Sequence, residues 1–150
     1  HILEAYAGEP VEVLKLRQEF DTATPADRAL EVAPGVGVLR RRVVLRGADS
    51  GQVLLYAEAV VVPERENPAV IDGLIHTDKP IGTLLAENRT ETFREILAIG
   101  REAAGASASP LGVEAGDPVI ARTYRIICEH RPSMLITEKF PVHFLRELPT

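Results

Sequence analysis

The sequence predicts an α+β domain built on a single antiparallel β-sheet of five or six strands with short flanking helices. Three observations carry this expectation. Runs of Val, Leu and Ile recur at strand length, bounded by Gly, Pro or Asp. The helical signals between them are short and do not alternate one for one with the strands, so no βαβ repeat is present. Finally, Val119 to Phe140, VIARTYRIICEHRPSMLITEKF, reads as strand, tight turn, strand, which makes an antiparallel pair. The chain of 150 residues is expected to form one domain, 1–150, with a core of its own. It begins with His1 rather than Met, which suggests a further N-terminal segment.

Taken in order, Pro10 to Phe20 (PVEVLKLRQEF) forms a first strand, followed by a loop over Thr22 to Asp27. Gly35 and Gly37 lead into a second strand, VLRRRVVLRG, and GADSG (Gly47 to Gly51) closes a hairpin. The third strand runs from Val53 to Val62 and ends at Pro63. Its near-continuous apolar character implies burial on both faces and hence a central position. Glu64 to Pro68 is a polar loop, Ala69 to Ile75 a short helix or turn, and Lys79-Pro80 opens a second short helix, IGTLLAEN. Thr90 to Arg101 fits helix and strand alike, because so short an apolar run has no decisive period. Ala103 to Gly116 is a small-residue loop with room for one helical turn.

Composition excludes several functions. With 45% hydrophobic and 26% charged residues the chain reads as globular, and its net charge of −5 leaves no basic footprint for nucleic acid. No apolar run approaches the ~20 residues of a membrane span, and no signal peptide is visible, so a cytoplasmic setting is expected. One cysteine, Cys128, cannot form an internal disulfide or a multi-cysteine zinc site; inside an apolar run, it reads as a buried thiol. His1, His76, His130 and His143 show no metal-ligand spacing. No phosphate loop and no nucleophile elbow is present.

Misplaced charges are the positive signal. In a strand, residues two apart share a face. Met134, Ile136, Glu138 and Phe140 therefore point one way, and the carboxylate among them must be paired, protonated or facing a cavity. On the second strand Leu39, Arg41, Val43 and Leu45 share a face, whereas Arg40, Arg42 and Arg46 share the other and look solvated. Arg41 cannot shed its charge, so it needs a carboxylate or a ligand anion. Glu58 interrupts the third strand as a second carboxylate. Such groups suit a pocket for a small anionic molecule, with no metal or bound cofactor called for.

The ordered set VLRRRVVL, YAEAVVVP, KPIGTLL, ETFREILAIGRE and LITEKFP resembles the chorismate pyruvate-lyase family, of the 4-hydroxybenzoate synthase type, from Ile2 to Phe140. The resemblance implies an antiparallel sheet around a buried site closed by helical flaps. It implies cofactor-free removal of the enolpyruvyl group of chorismate as pyruvate, leaving 4-hydroxybenzoate. The family's ligand-carboxylate arginine falls on Arg41, or on Arg42 if the register slips by one. Its backbone contact falls on Ile81, with Gly82 following, and the carboxylate near the ring hydroxyl falls on Glu138. Glu58 joins these as a candidate substrate contact. The stretch from Ala103 to Asp117 is longer than expected for the bacterial enzyme. With Glu58 and the Tyr124 hairpin, it is similar to the UTRA ligand-binding domain of GntR-type regulators, which shares the fold and binds effectors without chemistry. On that alternative the domain binds a small acid and signals as a homodimer or through an attached DNA-binding domain. The closing ITEKFP favours the lyase.

Overall fold

The computed structural model describes residues 8–142. The chain forms β1 (Val11–Thr22), a 3-10 helix (Pro25–Leu30), β2 (Gly37–Gly47), β3 (Val53–Val61) and a 3-10 turn (Pro63–Arg65). There follow α1 (Pro68–His76), α2 (Ile81–Glu87), β4 (Thr92–Ala103) and a 3-10 turn (Gly105–Ser107). The one-turn helix α3 (Ala108–Leu111), β5 (Pro118–Cys128) and β6 (Arg131–Pro141) complete it. All six strands join one antiparallel sheet in the order β1-β2-β3-β6-β5-β4. After β3 the chain crosses through α1 and α2 to the far edge and returns by two hairpins. That path inserts β6 beside β3 and makes β3 central, as its apolar run predicted.

The two faces of the sheet are covered differently. On one, called the inner face here, Val70 and Leu74 of α1 and Leu84 and Leu85 of α2 pack on Leu39, Val61, Ile126 and Met134. Each such side chain contributes roughly 1.5–3 kcal/mol on leaving water. Gly73 of α1 is needed here, because a Cβ at that position would lie 2.5 Å from Leu84. On the outer face, α3 packs on Val44, Tyr56 and Val119, and Leu30 of the 3-10 helix on Val38 and Val62. Arg65 pins that helix by donating to the carbonyls of Leu30, Glu31 and Pro132. Edge strand β4 is left almost bare, with Phe93, Ile96, Leu97 and Ile99 exposed.

Three segments differ from their sequence expectation or resolve its ambiguity. The end of the loop expected over Thr22 to Asp27 is instead the start of a 3-10 helix, Pro25–Leu30, because Thr24 and Asp27 form a reciprocal capping box around Pro25. Glu64 to Pro68 is not wholly loop, since Pro63–Arg65 makes a 3-10 turn and α1 begins at Pro68. The 90–101 ambiguity resolves as strand, since β4 pairs with β5 along its length; a bulge at Leu97 disturbs the alternation that would have revealed it. The Glu129-His130 turn between β5 and β6 carries two positive φ angles, 51° and 69°, as a two-residue hairpin of that twist requires. Among the described residues no helix is long and apolar enough to cross a membrane.

Candidate functional site

Strand register builds the site on the inner face. Gln18, Arg41, Ala59, Ile136 and Tyr124 lie opposite one another across β1, β2, β3, β6 and β5. The adjacent row holds Val43, Ala57, Glu138 and Arg122. Arg41 and Glu138 therefore share a face, two strands and two residues apart, with α-carbons about 12 Å apart from ordinary strand geometry. The only β3 side chains between them are those of Ala57 and Ala59. Both alanines are buried in core clusters, and their small side chains make this stretch of the inner face shallow, a trough in the sheet surface between Arg41 and Glu138.

Arg41 is 3% exposed, and its Nε and Nη1 have no hydrogen-bond partner. Burial alone pushes its guanidinium down to about 10. An unpaired buried cation is a substantial cost to the fold. Opposite it on β1, Gln18 presents a buried Oε1 that is likewise unpartnered. Nearby, the Lys15 ammonium donates to the carbonyl of Ile75 in α1 at 3.0 Å. Its pKa is lowered by burial and then by the charge of Arg41, with Asp78 opposing. One end of the trough is thus strongly positive and has donors to spare.

The other end is paired. Glu138 accepts from Nε of Arg122 at 3.2 Å and from its Nη2 in a close ion pair. Of the three fates open to a carboxylate on that face, pairing is the one realised. Tyr124 is buried, and its phenol is pushed up to about 12 by burial first and the Glu138 charge second. Arg94 and Arg122 stand over the Tyr124 ring, 5.1 and 5.2 Å from its centroid. Ile81 packs half-buried against the inner core, and Gly82 lies beside Arg94, whose Nη2 is 3.9 Å from where a Cβ would stand. Ile81 and Gly82 thus lie toward the Tyr124 and Arg94 side of the inner face, the face that also carries Arg41 and Glu138.

Arg42 and Glu58 are placed elsewhere. They lie on the outer face, where Nε of Arg42 donates to the Tyr56 hydroxyl at 2.9 Å and that hydroxyl donates to Glu58 at 2.6 Å. The structure does not bring this triad to Glu138. Arg42 and Glu58, with Arg17, Glu19 and Arg40, line a groove of about 260 Å³, which Arg41 and Ala59 also border. A larger cavity of about 1110 Å³ lies beside the β5–β6 turn, between Glu66, Asn88, Thr92 and His130, and contains neither Arg41 nor Glu138. Neither cavity joins Arg41 to Glu138. Cys128 is a buried free thiol pushed up by burial, as expected for a structural cysteine. Among the described residues, no three His, Cys, Asp or Glu side chains cluster as metal ligands. His1 and His143 lie outside the described residues.

Sequence reasoning missed Lys15, Gln18, Arg94, Arg122 and Tyr124. Arg122 carried the signal that exposed Arg41, since Arg122, Tyr124, Ile126 and Cys128 alternate onto one face. Lys15 and Gln18 were hidden by a bulge in β1, which puts residues of odd and even number on the same face.

Comparison with known proteins adds to this geometry. Residues 1–148 match the model of a family described as "Chorismate pyruvate-lyase Rv2949c-like". The chorismate pyruvate-lyase of Mycobacterium tuberculosis is 28% identical over 152 residues, covering 99% of this chain and 76% of that protein. That of Mycobacterium leprae is 26% identical, covering 99% and 71%. Among solved structures, the possible transcriptional regulator YydK of Bacillus subtilis superposes with a TM-score of 0.73 at 15% identity, over 95% of this chain and 60% of that one. The effector domain of PhnF from Mycobacterium smegmatis gives 0.71 at 16% identity, over 93% and 85%. These structural likenesses establish a shared fold.

Proposed function

The chain belongs to the Rv2949c-like chorismate pyruvate-lyase family, and on that premise we propose that it eliminates pyruvate from chorismate, leaving 4-hydroxybenzoate. The observation that carries this is Arg41, a buried guanidinium with two unpartnered nitrogens on the same face of the sheet as the Glu138 carboxylate. Arg41 binds the ring carboxylate by charge-assisted hydrogen bonds, with Lys15 adding charge behind it. The ring lies over Ala57 and Ala59, and its 4-hydroxyl reaches Glu138 and Tyr124. The backbone of Ile81 and Gly82 closes over it with α2.

In the reaction the ether bond between the ring and the enolpyruvyl oxygen breaks, and the ring carbon bearing the hydroxyl loses its hydrogen. The departing enol takes up a proton on carbon as pyruvate, so protons balance and no redox partner is needed. Aromatisation supplies the driving force. The protein's part is to orient the ether for departure, exclude water and offer Glu138 as the proton's relay. Mixing the protein with chorismate, without added metal or cofactor, tests this. Equimolar 4-hydroxybenzoate and pyruvate above the uncatalysed rate are expected, and their absence from well-folded protein would refute the lyase.

One observation favours a second reading. Arg122 already pairs with Glu138 in a close ion pair, which suits a site that binds without chemistry. On that reading the domain is a small-acid sensor. Thermal stabilisation by 4-hydroxybenzoate without turnover of chorismate would support it.

A further inference from the structure

The inner trough holds more positive charge than one ring carboxylate requires. Arg41, Lys15, Arg122 and Arg94 border it, and Glu138 and Asp78 are the carboxylates interacting with them, which leaves two positive charges in excess. Chorismate is a dianion, with one carboxylate on the ring and a second at the end of the enolpyruvyl arm. The product 4-hydroxybenzoate keeps only the first. A site that must tell the two apart needs a second cation, placed away from Arg41 and not already committed.

Arg94 meets both conditions. Arg122, the other cation over the Tyr124 ring, is committed to Glu138. Lys15 is held by the Ile75 carbonyl on the Arg41 side. Arg94 makes its contact with the Tyr124 ring and, among the described residues, has no hydrogen bond or ion pair. Its guanidinium is set beside the start of α2, where Gly82 offers no side chain to block it. With the ring carboxylate on Arg41 and the 4-hydroxyl at Glu138, the enolpyruvyl arm leaves the ring next to that hydroxyl, toward Tyr124. We propose that Arg94 is the specificity-determining residue that binds the enolpyruvyl carboxylate and so lets the site prefer the dianionic substrate over the monoanionic product. This assignment rests on the lyase reading. It places the second recognition group on edge strand β4, where Arg94 is exposed like most of its neighbours.

The test compares two stable acids by calorimetry, 4-hydroxybenzoate and 3-(carboxymethoxy)-4-hydroxybenzoate, which carries a second carboxylate through an ether at the chorismate position. Wild-type protein is expected to bind the diacid about tenfold more tightly than the monoacid, the scale of one charge-assisted contact at a partly solvated site. Arg94→Gln erases that margin and leaves 4-hydroxybenzoate affinity unchanged; Arg94→Lys keeps part of it and guards against a purely structural effect. With chorismate, Arg94→Gln raises KM and leaves kcat unchanged. If Arg94→Gln weakens both acids equally, or neither, the role of Arg94 is overturned while the lyase reading stands. If wild-type protein binds neither acid, the site itself is misassigned and Arg94's role falls with it.

Discussion

Arg40 and Arg41 are adjacent on one strand, and the two faces of the sheet treat them in opposite ways. Arg40 points outward and is surrounded by acceptors. It gives two hydrogen bonds to Asp27, at 2.7 and 3.0 Å, one to Asp21 at 2.8 Å and one to the Thr22 carbonyl at 3.1 Å. Its pKa is raised by the hydrogen bonds to Asp27 and Asp21. Arg41 points inward, has no carboxylate partner among the described residues, and is pushed down to about 10. The first guanidinium holds the 3-10 helix to the sheet. The second weakens the fold where it sits, and that cost is what supports the proposal that it anchors a ligand anion. Two neighbouring guanidinium groups thus separate a paired, structural charge from the one proposed to hold a ligand.

The strongest way to break it is Arg41→Met. Loss of the anchor for the ring carboxylate should lower kcat/KM for chorismate by about a thousandfold, or roughly 4 kcal/mol. The ligand-free protein should meanwhile gain about 1–2 kcal/mol in denaturant unfolding, because a well-packed apolar chain replaces an unpaired buried charge. The sign of the pH dependence follows from the lowered pKa. The penalty is complete below about 10 and shrinks as pH rises from there toward the ordinary guanidinium range. The stability gap between the variant and wild type should therefore narrow above pH 10. A variant that is both inactive and less stable would make Arg41 a structural residue.

Much of this contrast was legible in the sequence, because it rests on alternation. A regular strand gives each side chain a face, and β2 is regular from Gly37 to Leu45 in its pairing with β1 and β3, apart from the bulge on the β1 side. Arg41 and Glu138 were found that way. What alternation cannot supply is the partner. Arg122 neutralises Glu138 from the neighbouring strand, and only the register of β5 against β6 shows it. Glu58 looked like Glu138 by the same test, yet it lies on the outer face beside Tyr56. Faces are local information; which faces meet is set by topology, and the insertion of β6 between β3 and β5 is a long-range fact.

Glu138→Gln sharpens the comparison at the other end of the trough. It keeps the shape but removes the negative charge that pairs with Arg122 and the group offered as proton relay. Turnover should fall about a hundredfold, near 2.7 kcal/mol, with 4-hydroxybenzoate affinity changed less than threefold. Equal losses in both would reassign Glu138 to binding.

Asp27→Asn tests the structural half. Asp27 is buried, caps the 3-10 helix through the Thr24 amide at 2.8 Å and neutralises Arg40. The variant should lose roughly 2 kcal/mol of stability, less than a fully buried pair because Arg40 is partly solvated. Hydrogen bonds from Arg40, ahead of burial acting the other way, hold the Asp27 carboxyl below its ordinary value. Its contribution is therefore complete above about pH 4 and lost as pH falls through the lower folded value. Acid unfolding of the variant should start from a lower plateau and be less steep. Lyase activity at neutral pH and moderate temperature should stay within twofold of wild type.

The smallest expected effect belongs to Glu58→Gln, and it bears most directly on which face holds the ligand. Glu58 is exposed and accepts from Tyr56, whose hydroxyl also takes a bond from Arg42. Glutamine keeps an acceptor at nearly the same place, so stability should move by less than about 0.5 kcal/mol. The charge removed lies on the far side of the sheet from the trough, and KM for chorismate should not change measurably. A large rise in KM would put the ligand in the outer groove among Arg40, Arg42 and Glu58. The unpaired state of Arg41 would then need a different cause. A null result in Glu58→Gln beside a thousandfold loss in Arg41→Met would divide β2 into a structural face and a functional one, one residue apart.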